Sequence, residues 1–165
     1  MATRAFVYSR GQSVNFMVDT MMSNLKEVIL ENGHDPAELM NDAETTKRGI
    51  RAWIESGDLE MVTLEFYAPG SSKASARWDF PIVYSGSGVD DDLWADKSYL
   101  RGIVAKSTRP KPGDKYSVLL FTKQNRPDVD GFTRRAARST DHMTATSAGT
   151  VIATGHLTAS TRYWK

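Results

Sequence analysis

The stretch Asn125 to Lys165, NRPDVDGFTRRAARSTDHMTATSAGTVIATGHLTASTRYWK, decides how the chain is read. It has no helical apolar stripe and no clear strand before Thr150. Ser, Thr, Gly and Ala dominate, with Arg134, Arg135 and Arg138 set among them. Alone, such a segment buries too little apolar surface to offset its ordering entropy. Yet it closes on a strand-like run carrying Val151 and Ile152, a turn-prone Gly155-His156, and a second run from Leu157 to Tyr163 and Trp164. Terminal aromatic residues are out of place on a plain disordered tail. The expectation is a segment that wraps over the rest of the chain, is anchored at its far end, and is capable of release.

Upstream of it, Tyr116-Ser117-Val118-Leu119-Leu120-Phe121-Thr122 is apolar on both faces, which predicts an interior strand in the complete assembly. Before that, Pro110, Pro112 and Gly113 end a third helix that Asp90 to Asp92 would open, its stripe Leu93, Leu100, Ile103 and Val104 flanked by Trp94 and Tyr99. Residues Leu59 to Tyr67 alternate, Pro69-Gly70-Ser71-Ser72 is a turn, and Ala76 to Tyr84 returns with Trp78, Phe80, Ile82 and Tyr84 on one face. This is a hairpin. Pro81 cannot donate to a ladder, so the second strand is expected at a sheet edge on at least one side, where another strand can add.

The first half of the chain is helical. Val14, Met17, Val18, Met21, Leu25, Val28 and Ile29 recur at helical spacing, widened by Phe16, Met22 and Leu30, so this helix should be buried on more than one side. Ser13 would cap it and Asn32-Gly33 would stop it. Asp35, Pro36 and Glu38 signal a second helix with a capping box, its inward face Leu39, Ala43, Ile50, Trp53 and Ile54. The polar stretch Asn41 to Arg48 predicts a bend or split. Ala5 to Tyr8 could form a short strand, preceded by loose residues. The order gives an α+β fold, three helices on one face of a small, mainly antiparallel sheet.

At 165 residues, 40% apolar and 25% charged, one ordinary globular domain is expected. A net charge of +1 implies no global attraction to nucleic acid or anionic membrane. The absence of cysteine excludes disulfides and thiolate metal sites. No signal-peptide region and no apolar run of membrane-spanning length is present, and a cytoplasmic protein is expected.

Chemical signals are weak. His34, His142 and His156 share no ligand spacing, and no metal or cofactor is expected. Ser139, Asp141 and His142 resemble triad members in type only; a triad is made by geometry, and a polar loop is the simpler account. Ser23-Asn24-Leu25-Lys26 matches S-x-x-K without any partner motif. Asp90 to Asp92 read as a helix cap rather than a cation site. Asp128 and Asp130 lack the other ligands of a calcium loop, and Gly86 and Gly88 do not make a phosphate loop. The cluster Arg134, Arg135 and Arg138 is equally consistent with a solvated loop and with contact to an anion or acidic partner.

With these elements in place, the chain resembles a bacterial HORMA-domain protein over essentially its whole length. The stretches Ser13 to Asp19, Asn24 to Val28, Arg48 to Asp58, Ala76 to Phe80, Ile82 to Tyr84, Arg126 to Gly131, Arg138 to Asp141 and Tyr163-Trp164 carry the likeness. Pro81 departs from the pattern. The resemblance implies a single HORMA domain with a core over 1–124 and a safety belt and latch over 125–165. A closure-motif peptide would add as a strand to Tyr116, Ser117, Val118, Leu119, Leu120, Phe121 and Thr122. The belt, with Arg134, Arg135 and Arg138, would cross it. The latch, with Val151, Ile152, Leu157, Tyr163 and Trp164, would seat on the edge formed by Trp78, Phe80, Ile82 and Tyr84. The resemblance further implies a non-enzymatic switch in a cyclic-oligonucleotide anti-phage (CBASS) operon. Its partners would be a cGAS/DncV-like nucleotidyltransferase, an AAA+ remodelling ATPase gripping Ala2, Thr3, Arg4, Ala5 and Phe6, and a second HORMA protein. The alternatives are a scaffold for a peptide-tagged protein without nucleotidyltransferase activation, and a small hydrolase using Ser139 or His142.

Overall fold

The computed structural model describes residues 9–84 and 93–165. The proposed short strand at Ala5 to Tyr8, the handle Ala2 to Phe6 and the acidic run Asp90 to Asp92 lie outside them.

Helix α1 (Arg10–Glu31) begins one turn earlier than predicted: Ser9, not Ser13, is the cap, in a reciprocal capping box with Gln12. Ser13 is instead fully buried, its hydroxyl 2.9 Å from His156 Nδ1. Met17, Val18, Met21, Leu25, Val28 and Ile29 are completely buried, so α1 is the central rod of the core. Leu30 is the exception, facing solvent. Gly33 (φ 75°) turns the chain into a helix that is split at Asp42. Its halves are α2 (Ala37–Asn41) and α3 (Ala43–Glu55). Asp35 accepts the Ala37 N–H, but Glu38 completes no capping box.

Strands β1 (Leu59–Tyr67) and β2 (Ala76–Tyr84) form the hairpin. After it come β3 (Trp94–Ala95) and α4 (Lys97–Lys106). The third helix therefore opens at Asp96, whose carboxylate accepts the Tyr99 N–H, and not at the earlier acidic run. Pairing of Trp94 with Ala153 and Ala95 with Ile152 draws the segment before Asp96 into the sheet, which leaves Leu93 outside the helix. Strand β4 (Lys115–Thr122), β5 (Ala145–Ala153) and β6 (Leu157–Trp164) complete a six-stranded sheet in the order β3-β5-β6-β2-β1-β4, all neighbours antiparallel. The fold is α+β, with four helical segments among the described residues rather than three.

Two placements decide where the sheet is open. β2 is an inner strand, held between β1 and β6. Its ladder with β6 has no paired residues between Asp79 and Ile82, so Pro81 sits in a gap where no N–H is required. β4, expected to be interior only in the complete assembly, is the outermost strand on its side in this chain alone. One row of its backbone groups pairs with β1 and the other has no strand partner. Val62, Leu64, Phe66, Trp78 and Phe80 point toward the helices and are fully buried. Tyr84 closes the far end, donating to the Leu59 carbonyl at 2.8 Å, and partial burial pushes its phenol up to about 12.

Candidate functional site at the sheet edge

Residues 123–144 contain no helix and no named strand. They run from the end of β4 to the start of β5, and three attachments hold this crossing segment away from the outer edge of β4. The first is on α3. The Arg126 guanidinium lies 4.5 Å above the Trp53 ring, and the Trp53 indole N–H donates to the Pro127 carbonyl at 2.7 Å. Arg48 donates to the Asp130 carbonyl at 2.9 Å. Phe132 packs edge-on to Trp53, ring centroids 5.0 Å apart. Its ring occupies the space over Gly49, where a Cβ would come within 2.4 Å of it. A glycine inside a helix is destabilising on its own; here it makes the seat for an aromatic side chain.

The second attachment is a buried acid. Glu65 of β1 is wholly enclosed and accepts from the Arg138 guanidinium at 2.7 Å and from the Arg138 backbone N–H at 3.0 Å. The same guanidinium donates to the Ser71 carbonyl and sits 3.3 Å above the Tyr67 ring. Arg135 approaches Glu65 more loosely, at 3.5 Å. Ser139 then bridges in parallel with Lys73, and His142 Nε2 donates to the Ala74 carbonyl at 2.9 Å. Ser139 Oγ accepts from the Asp141 N–H, so Ser139, Asp141 and His142 are engaged in turn geometry and with the hairpin, not with one another as a triad.

The third attachment is the C-terminal hairpin. β5 starts at Ala145, earlier than the Thr150 suggested by composition, and β6 pairs with β2 through Trp78 with Tyr163, Asp79 with Arg162, and Ile82 with Ala159. Val151, Ile152 and Leu157 are buried in the core, while Tyr163 and Trp164 are half-buried. On the opposite face, Asp79 is fully buried and accepts five hydrogen bonds. Thr63 and Arg77 bind one oxygen; Arg162, twice, and the Trp164 indole N–H bind the other at 2.7–2.9 Å. Burial alone would raise the Asp79 pKa, but bonds from Arg77, Trp164 and Thr63 outweigh it and hold the carboxyl below its ordinary range.

Between the first two attachments the crossing segment stands off β4 and leaves a groove of about 590 Å³. Its floor is Val118 to Thr122; its walls include Thr45, Thr46 and Trp53 on one side and Phe132, Arg134 and Arg135 on the other. Tyr116 and Ser117 line a smaller, adjoining hollow beside Leu39. The register fixes which side chains share each side. Val118 and Leu120 stand opposite Leu64 and Val62 and share their helix-facing side; Leu119 and Phe121, opposite Thr63 and Met61, share the other. Chemically, the groove offers unpaired backbone groups and alternating side-chain surfaces, the requirements for adding an extended chain. Trp53, Gly49, Glu65 and Asp79 were not among the site residues expected from sequence, yet the first three hold the walls of the groove and Asp79 fastens β6. Of the expected residues, the β4 set lines the two hollows, and the three arginines separate. Arg138 has its acid within the fold, while Arg134 and Arg135 face the groove.

The family described as Bacterial HORMA domain 2 matches residues 2–165. Among curated proteins no sequence matches. Among solved structures, a chain of the "Crystal Structure of Mitotic Checkpoint Complex" is similar with a TM-score of 0.73 at 9% identity, over 92% of this chain and 97% of the other. HTP-1 of C. elegans bound to the HIM-3 closure motif is similar with a TM-score of 0.72 at 15% identity, over 97% and 92%. The E. coli MS115-1 HORMA:CdnC:Trip13 complex contains a chain with a TM-score of 0.56 at 15% identity, over 98% and 96%. At these identities the structures establish the fold. The family match spans nearly the whole sequence, and the chain belongs to the bacterial HORMA domain 2 family.

Proposed function

We propose that this protein is a cytoplasmic, non-enzymatic peptide-binding switch. A closure-motif peptide adds to the outer edge of β4 and is trapped beneath the belt, residues 125–144, whose far end is fastened by the β5–β6 latch. The observation that carries this reading is the unpaired edge of β4 facing a groove that the belt itself walls. Main-chain bonds would supply affinity and the alternating pockets selectivity. A peptide held under a belt departs only when the belt opens, so dissociation is slow. The HTP-1 structure, bound to a closure motif, supports the mode of binding. In the closed state the protein binds and activates a cGAS/DncV-like nucleotidyltransferase in anti-phage defence. An AAA+ ATPase resets it by pulling on Ala2 to Phe6. The E. coli assembly of a HORMA protein with CdnC and Trip13 supports partners of this number.

The experiment is capture from a displayed random-peptide library, followed by hydrogen exchange of the captured complex. Those β4 amides that point away from β1 should become protected. Capture without new protection in β4 would place the peptide elsewhere and refute the site. Co-expression with a candidate nucleotidyltransferase should yield a complex with stimulated nucleotide product; a stable peptide complex that never co-purifies with such an enzyme would favour the scaffold alternative. Deleting residues 1–6 should leave capture intact and abolish ATPase-driven opening, and retained opening would refute the handle.

A further inference from the structure

The rim of the groove carries more positive charge than the fold consumes. Arg138 is neutralised by Glu65 at 2.7 Å. Arg126 is enclosed against Trp53 and paired with Asp128 at 2.8 Å. Arg135 is half-exposed and shares, at 3.5 Å, a carboxylate that Arg138 already holds more closely. Arg134 donates only to the Gln124 backbone carbonyl, at 3.1 Å, and among the described residues makes no ion pair. Two guanidiniums therefore border the groove without a carboxylate of their own. The acid that does line it, Asp42, is on the α2–α3 wall beside Thr45 and Thr46.

The sides of the groove differ accordingly. Glu65 pairs in register with Ser117, so Arg135 lies on the side of the sheet that also carries Leu119 and Phe121. Val118 and Leu120 point to the other side, where Phe132 packs on Trp53. Successive residues of an extended chain point to opposite sides. A side chain on the arginine side is therefore next in sequence to one on the apolar side. A guanidinium binds a carboxylate in a planar, bidentate manner that no neutral group reproduces.

Resting on the peptide-binding reading above, we propose that Arg134 and Arg135 select the occupant. The groove takes an extended peptide bearing an aspartate or glutamate immediately beside an apolar residue. The acid meets Arg134 and Arg135, and the apolar residue seats against Val118, Leu120 and Phe132.

The test uses the full chain and a bead-displayed random decapeptide library, screened with the wild type and with the Arg134→Gln/Arg135→Gln variant. Both arginines are on the surface, and thermal unfolding checks that the variant remains folded. Wild-type winners should be enriched in Asp or Glu at one position with an apolar neighbour. A synthetic winner should bind on the order of ten- to a hundredfold tighter than its acid-to-amide counterpart, and that ratio should fall to about one in the variant. The preference for the apolar neighbour should survive in both. Winners without an acid, or a ratio unchanged in the variant, would overturn the proposal. So would binding lost only on amidating the peptide's C-terminus, because the carboxylate would then be terminal. If the wild type captures no peptide at all, the peptide-binding reading itself fails; capture without acid selectivity defeats only this inference.

Discussion

Replacing Asp79 by Asn should loosen the latch while leaving the rest of the fold in place. The carboxylate is fully buried and receives two bonds from Arg162 and one from Trp164, all from β6, besides those from Arg77 and Thr63. An amide keeps one accepting oxygen and turns the other position into a donor. If the oxygen stays with Arg77 and Thr63, the new N–H₂ confronts three donors from β6. Breaking a buried charged cluster by removing one partner costs about 3–5 kcal/mol. Much of that cost falls on β6, because the lost bonds are its own, so local opening of the latch should become on the order of a hundred- to a thousandfold more frequent.

Native-state hydrogen exchange reads this directly. Amides of β6 should lose protection in the variant, whereas those in the β1–β2 hairpin should change far less. Uniform loss over both strands, or none, would refute the argument that Asp79 acts as the fastening of the latch. The same group sets a pH dependence. Its folded pKa is lowered, so its contribution is present above the ordinary aspartate range and is lost as pH falls through the folded value, below that range. In the wild type, β6 protection should therefore hold above the ordinary aspartate range and decline progressively as pH falls below it. The Asn variant should lack that component.

Gly49→Ala should unseat Phe132, since the new Cβ would lie 2.4 Å from the ring. The expected cost is about 1–3 kcal/mol of overpacking, reduced by roughly 1 kcal/mol from the better helix former. Faster exchange of the Phe132 amide, bonded to the Val129 carbonyl, would report it, and unchanged exchange would refute the seat. Glu65→Gln should release residues 135–139 at a cost of about 2–3 kcal/mol, below the full cost of a broken buried pair because Arg138 keeps the Ser71 carbonyl and the Tyr67 face. Urea unfolding together with exchange at the Arg138 amide measures both. Tyr84 should titrate near pH 12, so its contribution is intact below pH about 10 and lost as pH rises through about 12. A phenolate absorbance titration that is unaltered by Tyr84→Phe near pH 12 would refute this.

Periodicity alone located α1, the hairpin and β4, because each carries enough apolar residues in one spacing to dictate its own conformation. Ala145 to Thr150 carries only two alanines, and it becomes strand because β6 supplies a ladder; that information is tertiary. Asp96 is the helix cap although the acidic run before it is the louder signal, since a single Asp before Lys97 is a weak signal until β3 takes the residues before it into the sheet. Pro81 marks an edge to which another strand adds; β6 is that strand here, and its ladder skips Pro81. The most instructive omission is the pair Glu65 and Asp79. Alternation assigns both to the outward side of their strands, where an acid normally meets water. Both are instead wholly buried, because the C-terminal quarter covers that side and brings Arg138, Arg162 and Trp164 onto them. Two outward acids on neighbouring strands, in a chain whose tail is rich in arginine, are the signal that could have identified the covered side.

On the proposed function, this division of labour sets where the tail would begin to open. The end of the latch next to the Gly155-His156 turn is fixed by apolar burial, with Val151, Ile152, Leu157 and Ala159 all enclosed. The other end is fixed by charge-assisted bonds from Arg162 and Trp164 to a single carboxylate. Exposing the apolar end forfeits its burial, on the order of 25 cal/mol for each square ångström returned to water. Exposing the ionic end loses less, because the separated charges regain their hydration, which is why a buried pair contributes little net stability. An opening motion that follows the lower cost therefore starts at Arg162–Trp164 and peels toward the turn. Exchange along β6 should show that gradient, fastest near Trp164 and slowest near Leu157. A latch that opens from the turn first would mean that packing, and not the carboxylate at Asp79, governs release.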